Sequence, residues 1–170
     1  MPQEIERRFL LKNSIDWRDS VTEKQKITQI YLGYSPVTRL RFYGMYDDPD
    51  ARAVFTVKGK RTRGNIGKLE VEWEISKEDA KEILFGGLSV GDPIIKTRHL
   101  IPFGGLTWEV DVFSGLNEGL MIAEVELESE DQDVILPPWV GEEITDDHRY
   151  ANSSLSQIPL KDWHKHANPA

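Results

Sequence analysis

Apolar and charged residues alternate with a period of two through most of this chain. The first stretch reads Glu4-Ile5-Glu6-Arg7-Arg8-Phe9-Leu10-Leu11. Successive side chains of an extended chain point to opposite sides, so Glu4, Glu6 and Arg8 share one face while Ile5, Phe9 and Leu11 lie opposite. The same alternation predicts strands over 3–12, 25–34, 38–46, 52–60, 67–75, 93–102, 106–114 and 120–129. Turn-forming clusters divide them: Asp47-Asp48-Pro49-Asp50, Arg63-Gly64-Asn65-Ile66-Gly67, Gly104-Gly105 and Ser114-Gly115-Leu116-Asn117-Glu118-Gly119. Gaps this short join antiparallel neighbours.

One segment has the helical period instead. Ser76 is an N-cap candidate ahead of Lys77 to Phe85, Gly86-Gly87 ends the run, and Ala80, Ile83 and Leu84 fall on one face. Glu130 to Leu136 is expected to form a short helix stopped by Pro137-Pro138, and the tail from Asp146 to Leu160 a further turn or two. Asp16-Trp17-Arg18-Asp19 reads as a helical loop, and Trp17, Trp108 and Trp139 as packing residues. His99 alternates with Arg98 and so lies on the core-packing side, whereas His164 and His166 belong to a solvated tail and His148 to an acidic loop. No repeat, linker or low-complexity segment interrupts the chain. The expectation is one domain over 1–170, α+β but mainly β: an eight-stranded antiparallel tunnel-like barrel with a few flanking helices.

The polar faces of these strands are sorted by sign. Arg39 and Arg41 share one strand, Lys58 and Lys60 the next, then Glu70, Glu72 and Glu74. Lys96 and Arg98 follow, then Glu109 and Asp111, then Glu124, Glu126 and Glu128. Any half-exposed antiparallel sheet alternates charged and apolar residues. Like charges two residues apart repel, however, unless the opposite sign faces them, and here row after row carries a single sign. Curled into a barrel, such a sheet places rows of cations opposite rows of carboxylates, around a space that fits one small ligand.

Composition narrows the ligand. The chain carries a net charge of −8 with pI near 5.0, so nucleic acid is not an expected partner. No apolar run approaches the ~20 residues that cross a bilayer, and the acidic N-terminus has no export-signal layout, so the cytoplasm is the expected location. Without cysteine, disulfides, thiolate metal sites and cysteine nucleophiles are excluded. Dry, unpaired charges would cost several kcal/mol each, so a charged interior implies a wet channel holding a polyanion and metal ions. Arg and Lys rows suit a phosphate chain, and carboxylates without Cys or His suit hard cations such as Mg²⁺ or Mn²⁺. Together they point to phosphoryl-transfer or phosphate-hydrolysis chemistry.

These residues resemble the CYTH domains, or triphosphate tunnel metalloenzymes, whose first strand carries a Glu-x-Glu-x-Lys signature. Glu4-Ile5-Glu6-Arg7-Arg8 stands in that place. The likeness continues through Gln29-Ile30-Tyr31-Leu32, Arg39-Leu40-Arg41, Phe55-Thr56-Val57-Lys58 and Glu70-Val71-Glu72. It runs on through Lys96-Thr97-Arg98, Trp108 to Phe113, Ala123 to Leu127, Gly141 to Thr145 and Asp147-His148-Arg149-Tyr150. The resemblance implies that Arg39, Arg41, Lys58, Lys96 and Arg98 grip a triphosphate. It implies that Glu4, Glu6, Glu124 and Glu126, helped by Asp111, Glu70 and Glu72, hold one or two Mg²⁺ or Mn²⁺ ions. Glu4 and Glu6 then also serve catalysis, and Arg8 stands where the family usually carries a lysine, which in some small members pairs with a tyrosine at the position of Tyr31 to position or deprotonate water. An arginine binds phosphate well but does not accept that proton.

What the resemblance implies is a metal-dependent triphosphatase acting on inorganic tripolyphosphate, the substrate suggested by a chain as short as the small bacterial members. Thiamine triphosphatase, class IV-type adenylyl cyclase and a tunnel that holds triphosphate or polyphosphate without hydrolysis remain open, as does a homodimer.

Overall fold

The computed structural model describes residues 3–59 and 68–165. Lys60, His166 and the turn expected over 63–67 lie outside the described residues. In chain order the strands are β1 (Gln3–Glu4), β2 (Glu6–Leu11), β3 (Glu23–Tyr34), β4 (Val37–Tyr43) and β5 (Arg52–Lys58). They continue as β6 (Lys68–Ile75), β7 (Val90–Phe103), β8 (Leu106–Phe113), β9 (Met121–Glu126) and β10 (Val140–Glu143). All belong to one sheet, ordered β1-β6-β5-β4-β3-β7-β8-β9-β2-β10, and every pairing is antiparallel.

The eight strands of the sequence pattern are therefore present, with two differences. The first is broken at Ile5: β1 pairs with β6 and β2 with β9. One short stretch of chain thus joins opposite ends of the ladder, and Leu127 N donates to the Ile5 carbonyl at the break (2.8 Å). The wall of the tunnel is consequently not a closed eight-stranded ladder. Its seam is a kinked strand that divides its hydrogen bonds between two neighbours. The second difference is β10, which pairs with β2 and whose single apolar residue gave no alternation to read.

Local chemistry explains most element ends. Gly104 and Gly105 both have positive φ (60° and 79°), which a two-residue hairpin between β7 and β8 requires. β7 begins at Val90, three residues before the expected start, because a register irregularity opposite Gln29 to Tyr31 accommodates Gly91 and Pro93. Helix α1 (Lys77–Phe85) starts where Ser76 Oγ accepts from Asp79 N (3.0 Å). The helix expected over 130–136 is absent. That segment runs without regular structure while Val134 and Trp139 pack on the core, so burial overrides local propensity.

Residues opposite each other in register share a face of the sheet. Outward, Phe9, Trp108, Val110, Ala123 and Val125 form one apolar cluster, closed over by Trp17 and Trp139. There His99 contacts Trp17 edge-on and lies 3.1 Å from the Val110 carbonyl, a satisfied packing histidine. Ala80 of α1 seals a second outward cluster of Ile30, Leu40, Phe42 and Ala53. Inward, the lining is charged along part of the tunnel and apolar at one end, where Tyr31, Ile94, Phe113 and Ile122 meet. Helix α2 (Asn152–Gln157) inserts Leu155 among them, fully buried, and so plugs that end. None of the described helices is long and apolar enough to cross a membrane.

Candidate functional site

The charged part of the tunnel encloses a cavity of about 360 Å³. Its cations are Arg39 and Arg41 of β4, Lys58 of β5, and Lys96 and Arg98 of β7. Its carboxylates are Glu4, Glu70 and Glu72 of the paired strands β1 and β6, and Glu6, Glu109, Glu124 and Glu126 of the adjoining strands β2, β8 and β9; Tyr43 and Asn152 complete the lining. Strand pairing places signs side by side: Lys58 opposite Glu70, Glu6 opposite Glu126, and Glu109 opposite Glu124.

Two ion-pair networks organise the walls. In the first, Lys58 Nζ donates to Glu4 Oε2 (2.7 Å) and sits 3.3 Å from Glu70 Oε2, with Arg39 Nη2 3.7 Å from the other Glu70 oxygen. Burial raises the Glu4 carboxyl, but the Lys58 ammonium, a hydrogen bond with Glu70 and the Arg39 guanidinium together outweigh it and hold Glu4 down to about 2. Arg39 also donates to Thr56 Oγ1 (3.4 Å), which donates to Glu72 Oε2 (3.3 Å). Its Nε is buried with no hydrogen-bond partner among the described residues, the costly condition a phosphate oxygen relieves.

The second network centres on Asp111, which has no solvent exposure. Arg98 donates to both its oxygens (2.8 and 2.9 Å) and Lys96 Nζ to one (2.6 Å). Against the effect of burial, these two cations hold the Asp111 carboxyl well below the usual carboxylate range. Lys96 shares that one carboxylate with Arg98, and burial pulls its ammonium down to about 8. Arg98 Nη1 reaches outward to Glu109 (2.8 Å) and Nη2 towards Glu124 (3.6 Å).

Glu6 has the opposite character to Glu4. Burial, then the nearby Glu124 and Glu4 carboxylates, push it up to about 8, although Arg8 Nε lies 3.9 Å away. Among the described residues no three carboxylates converge as a ready-made cation cage. The donors nonetheless fit a hard divalent ion. Seven carboxylates line a cavity with five cations, and crowded, proton-holding oxygens such as those of Glu6 favour one.

Of the expected site residues, the five basic ones and Glu4, Glu6, Glu70, Glu72, Glu124 and Glu126 are brought together here. Three are not on the lining. Asp111, expected among the metal ligands, is buried with both oxygens hydrogen-bonded to Lys96 and Arg98. Arg8 is buried, its Nη2 donating to the Thr145 carbonyl (3.3 Å), which ties β2 to the C-terminal segment. Tyr31 is 1% exposed within the apolar plug and accepts from Gln29 Nε2 (3.1 Å); burial raises its hydroxyl. The sequence reading left out Glu109, although it stands on the Glu109–Asp111 row, and Tyr43, which continues the Arg39–Arg41 row. Asn152 carried no signal at all, because only the docking of α2 brings it to the cavity.

The CYTH domain family matches residues 2–159. An inorganic triphosphatase of Acetivibrio thermocellus is 38% identical over 164 residues, which cover 96% of this chain and 99% of the relative. One of Nitrosomonas europaea is 42% identical over 100 residues, 56% of this chain and 64% of the relative. The crystal structure of an inorganic triphosphatase superposes with a TM-score of 0.61 at 32% identity, covering 92% of this chain and 95% of that one. With the family matched over nearly its whole length and its charged rows meeting in one tunnel, this chain belongs to the CYTH domain family.

Proposed function

We propose that the protein is a metal-dependent triphosphatase that hydrolyses inorganic tripolyphosphate to pyrophosphate and phosphate. The observation that carries this reading is the cavity lining, five cations interleaved with seven carboxylates in a space of about 360 Å³. Two relatives matched along the chain are inorganic triphosphatases, which supports the same substrate.

Arg39, Arg41, Lys58, Lys96 and Arg98 bind the phosphoryl oxygens, the guanidinium forks fixing orientation and the ammonium groups supplying charge. Glu4, Glu6, Glu124 and Glu126 would hold Mg²⁺ or Mn²⁺, with Glu70 and Glu72 beside them. When bound, the ion withdraws charge from phosphoryl oxygens and lowers the pKa of water. Asp111 stays ionised and keeps Lys96 and Arg98 aimed at the substrate. The plugged end excludes bulk water from one side of the chain of phosphates. The carboxylates left free orient the attacking water and take up its proton; its oxygen forms a new P–O bond as the bridging P–O bond breaks and pyrophosphate leaves.

Phosphate release from tripolyphosphate, ATP and thiamine triphosphate, with Mg²⁺, Mn²⁺ or chelator, tests the reading. Metal-dependent release that favours tripolyphosphate is the expected result. Tight tripolyphosphate binding without release would instead make the tunnel a holding site, and preference for a nucleotide would reassign the substrate.

A further inference from the structure

Among the described residues that line the cavity, Asn152 is the only one that no strand supplies. It opens α2, and Leu155 and Ser156, three and four positions on, lie on the same helical face and are fully buried. Plugging the tunnel with Leu155 therefore carries the Asn152 amide into the cavity.

Hydrogen bonds fix which way that amide points. Gln29 Oε1 accepts from Arg41 Nε (2.8 Å), so Gln29 must present its Nε2 on the other side. That Nε2 donates to Asn152 Oδ1 (3.1 Å), and Lys96 Nζ donates to the same oxygen (3.1 Å). Both lone pairs of Oδ1 are then in use, and a flipped amide would set its NH₂ against an ammonium and a second NH₂. The Nδ2 group is left as a two-proton donor with no hydrogen bond among the described residues, on a residue that lines the cavity beside the Lys96 ammonium.

We propose that Asn152 binds substrate directly, its Nδ2 donating to a phosphoryl oxygen of the triphosphate beside Lys96. This rests on the triphosphate reading of the cavity. Through Oδ1 the same side chain also braces Lys96 and, by way of Gln29, Arg41, so closure of the tunnel end and completion of the anion site are one event.

The test is tripolyphosphate affinity with Mn²⁺ present, read as KM where the protein turns over and by calorimetry where it does not, for wild type, Asn152→Ala and Asn152→Asp. The aspartate is isosteric and retains an acceptor for Lys96 and Gln29 but has no N–H to donate. Both variants are expected to bind about tenfold or more weakly, the scale of a hydrogen bond to a charged group. Affinity within about twofold of wild type in both would overturn the proposal. Repeating Asn152→Ala in a Lys96→Met background separates contact from bracing: a loss of the same size means direct contact, and its disappearance means Asn152 acts only through Lys96 and overturns the claim. Should Lys96→Met not fold, Lys96→Gln, which keeps a donor to Asp111, takes its place. A wild type that does not bind tripolyphosphate sinks the reading of the cavity itself, a result distinct from variants that bind as well as wild type.

Discussion

Asp111 and Glu109 lie two residues apart on one face of β8, yet their environments assign them different work. Glu109 meets Arg98 at the cavity wall; Asp111 is buried behind it with both oxygens occupied. Replacing Asp111 by Asn leaves two cations without their shared carboxylate, and the expected cost is about 3–5 kcal/mol, read from denaturant midpoints. The pH dependence has a definite sign. A carboxyl held lower in the folded protein than in the unfolded chain contributes stability above its unfolded pKa, about 3.9. That contribution is lost as pH falls from there through the folded value. The gap in stability between wild type and D111N should therefore be full at pH 5–6 and shrink below about pH 4; a gap independent of pH would mean the charge is not what Asp111 contributes. Arg8 supplies the contrasting case. Its guanidinium donates to the Thr145 carbonyl and comes no nearer than 3.9 Å to Glu6, the lining carboxylate beside it, so R8K should cost about 1 kcal/mol of stability and leave the tripolyphosphate KM within about twofold. A tenfold rise in KM would place Arg8 on the substrate.

Among the elements, α1 and α2 are both short helices laid against the sheet, one outside the tunnel and one across its end. Leu155 is fully buried against Tyr31, Ile94, Phe113 and Ile122, and its truncation to Ala should cost about 2–5 kcal/mol. Because that side chain seats Asn152, L155A should also weaken tripolyphosphate binding. Ser76→Ala at the cap of α1 should cost about 1 kcal/mol and leave binding unchanged. Equal effects of the two variants on binding would mean that α2 is only a stabilising plug. The strands were legible because a period of two is a property of the chain itself. Once Arg39 faces inward, Arg41 must as well. β10 and the absent helix at 130–136 were not, since a strand with one apolar residue and a coil held by Trp139 are both decided by what they pack against.

At the scale of the molecule, the protein is acidic inside as well as out: net charge is −8, and carboxylates outnumber cations on the cavity lining. A polyphosphate entering alone meets that excess at close range. Tripolyphosphate affinity should therefore fall by more than about tenfold when chelator replaces Mn²⁺, and fall further with added salt. Metal-independent affinity would mean that protons on groups such as Glu6 suffice to balance the lining. The alternation of residue types determined which side chains face inward and sorted their signs by strand, because side-chain parity and strand register need only the local chain. It could not determine how completely neighbours cover each inward side chain, which separates Asp111 from Glu109 and keeps Arg8 and Tyr31 off the lining. Nor could it place Asn152, whose position depends on a helix more than fifty residues from Lys96 in the chain docking by its own apolar face. Those outcomes belong to the tertiary structure, because burial and hydrogen-bond satisfaction depend on neighbours that only the closed fold brings together.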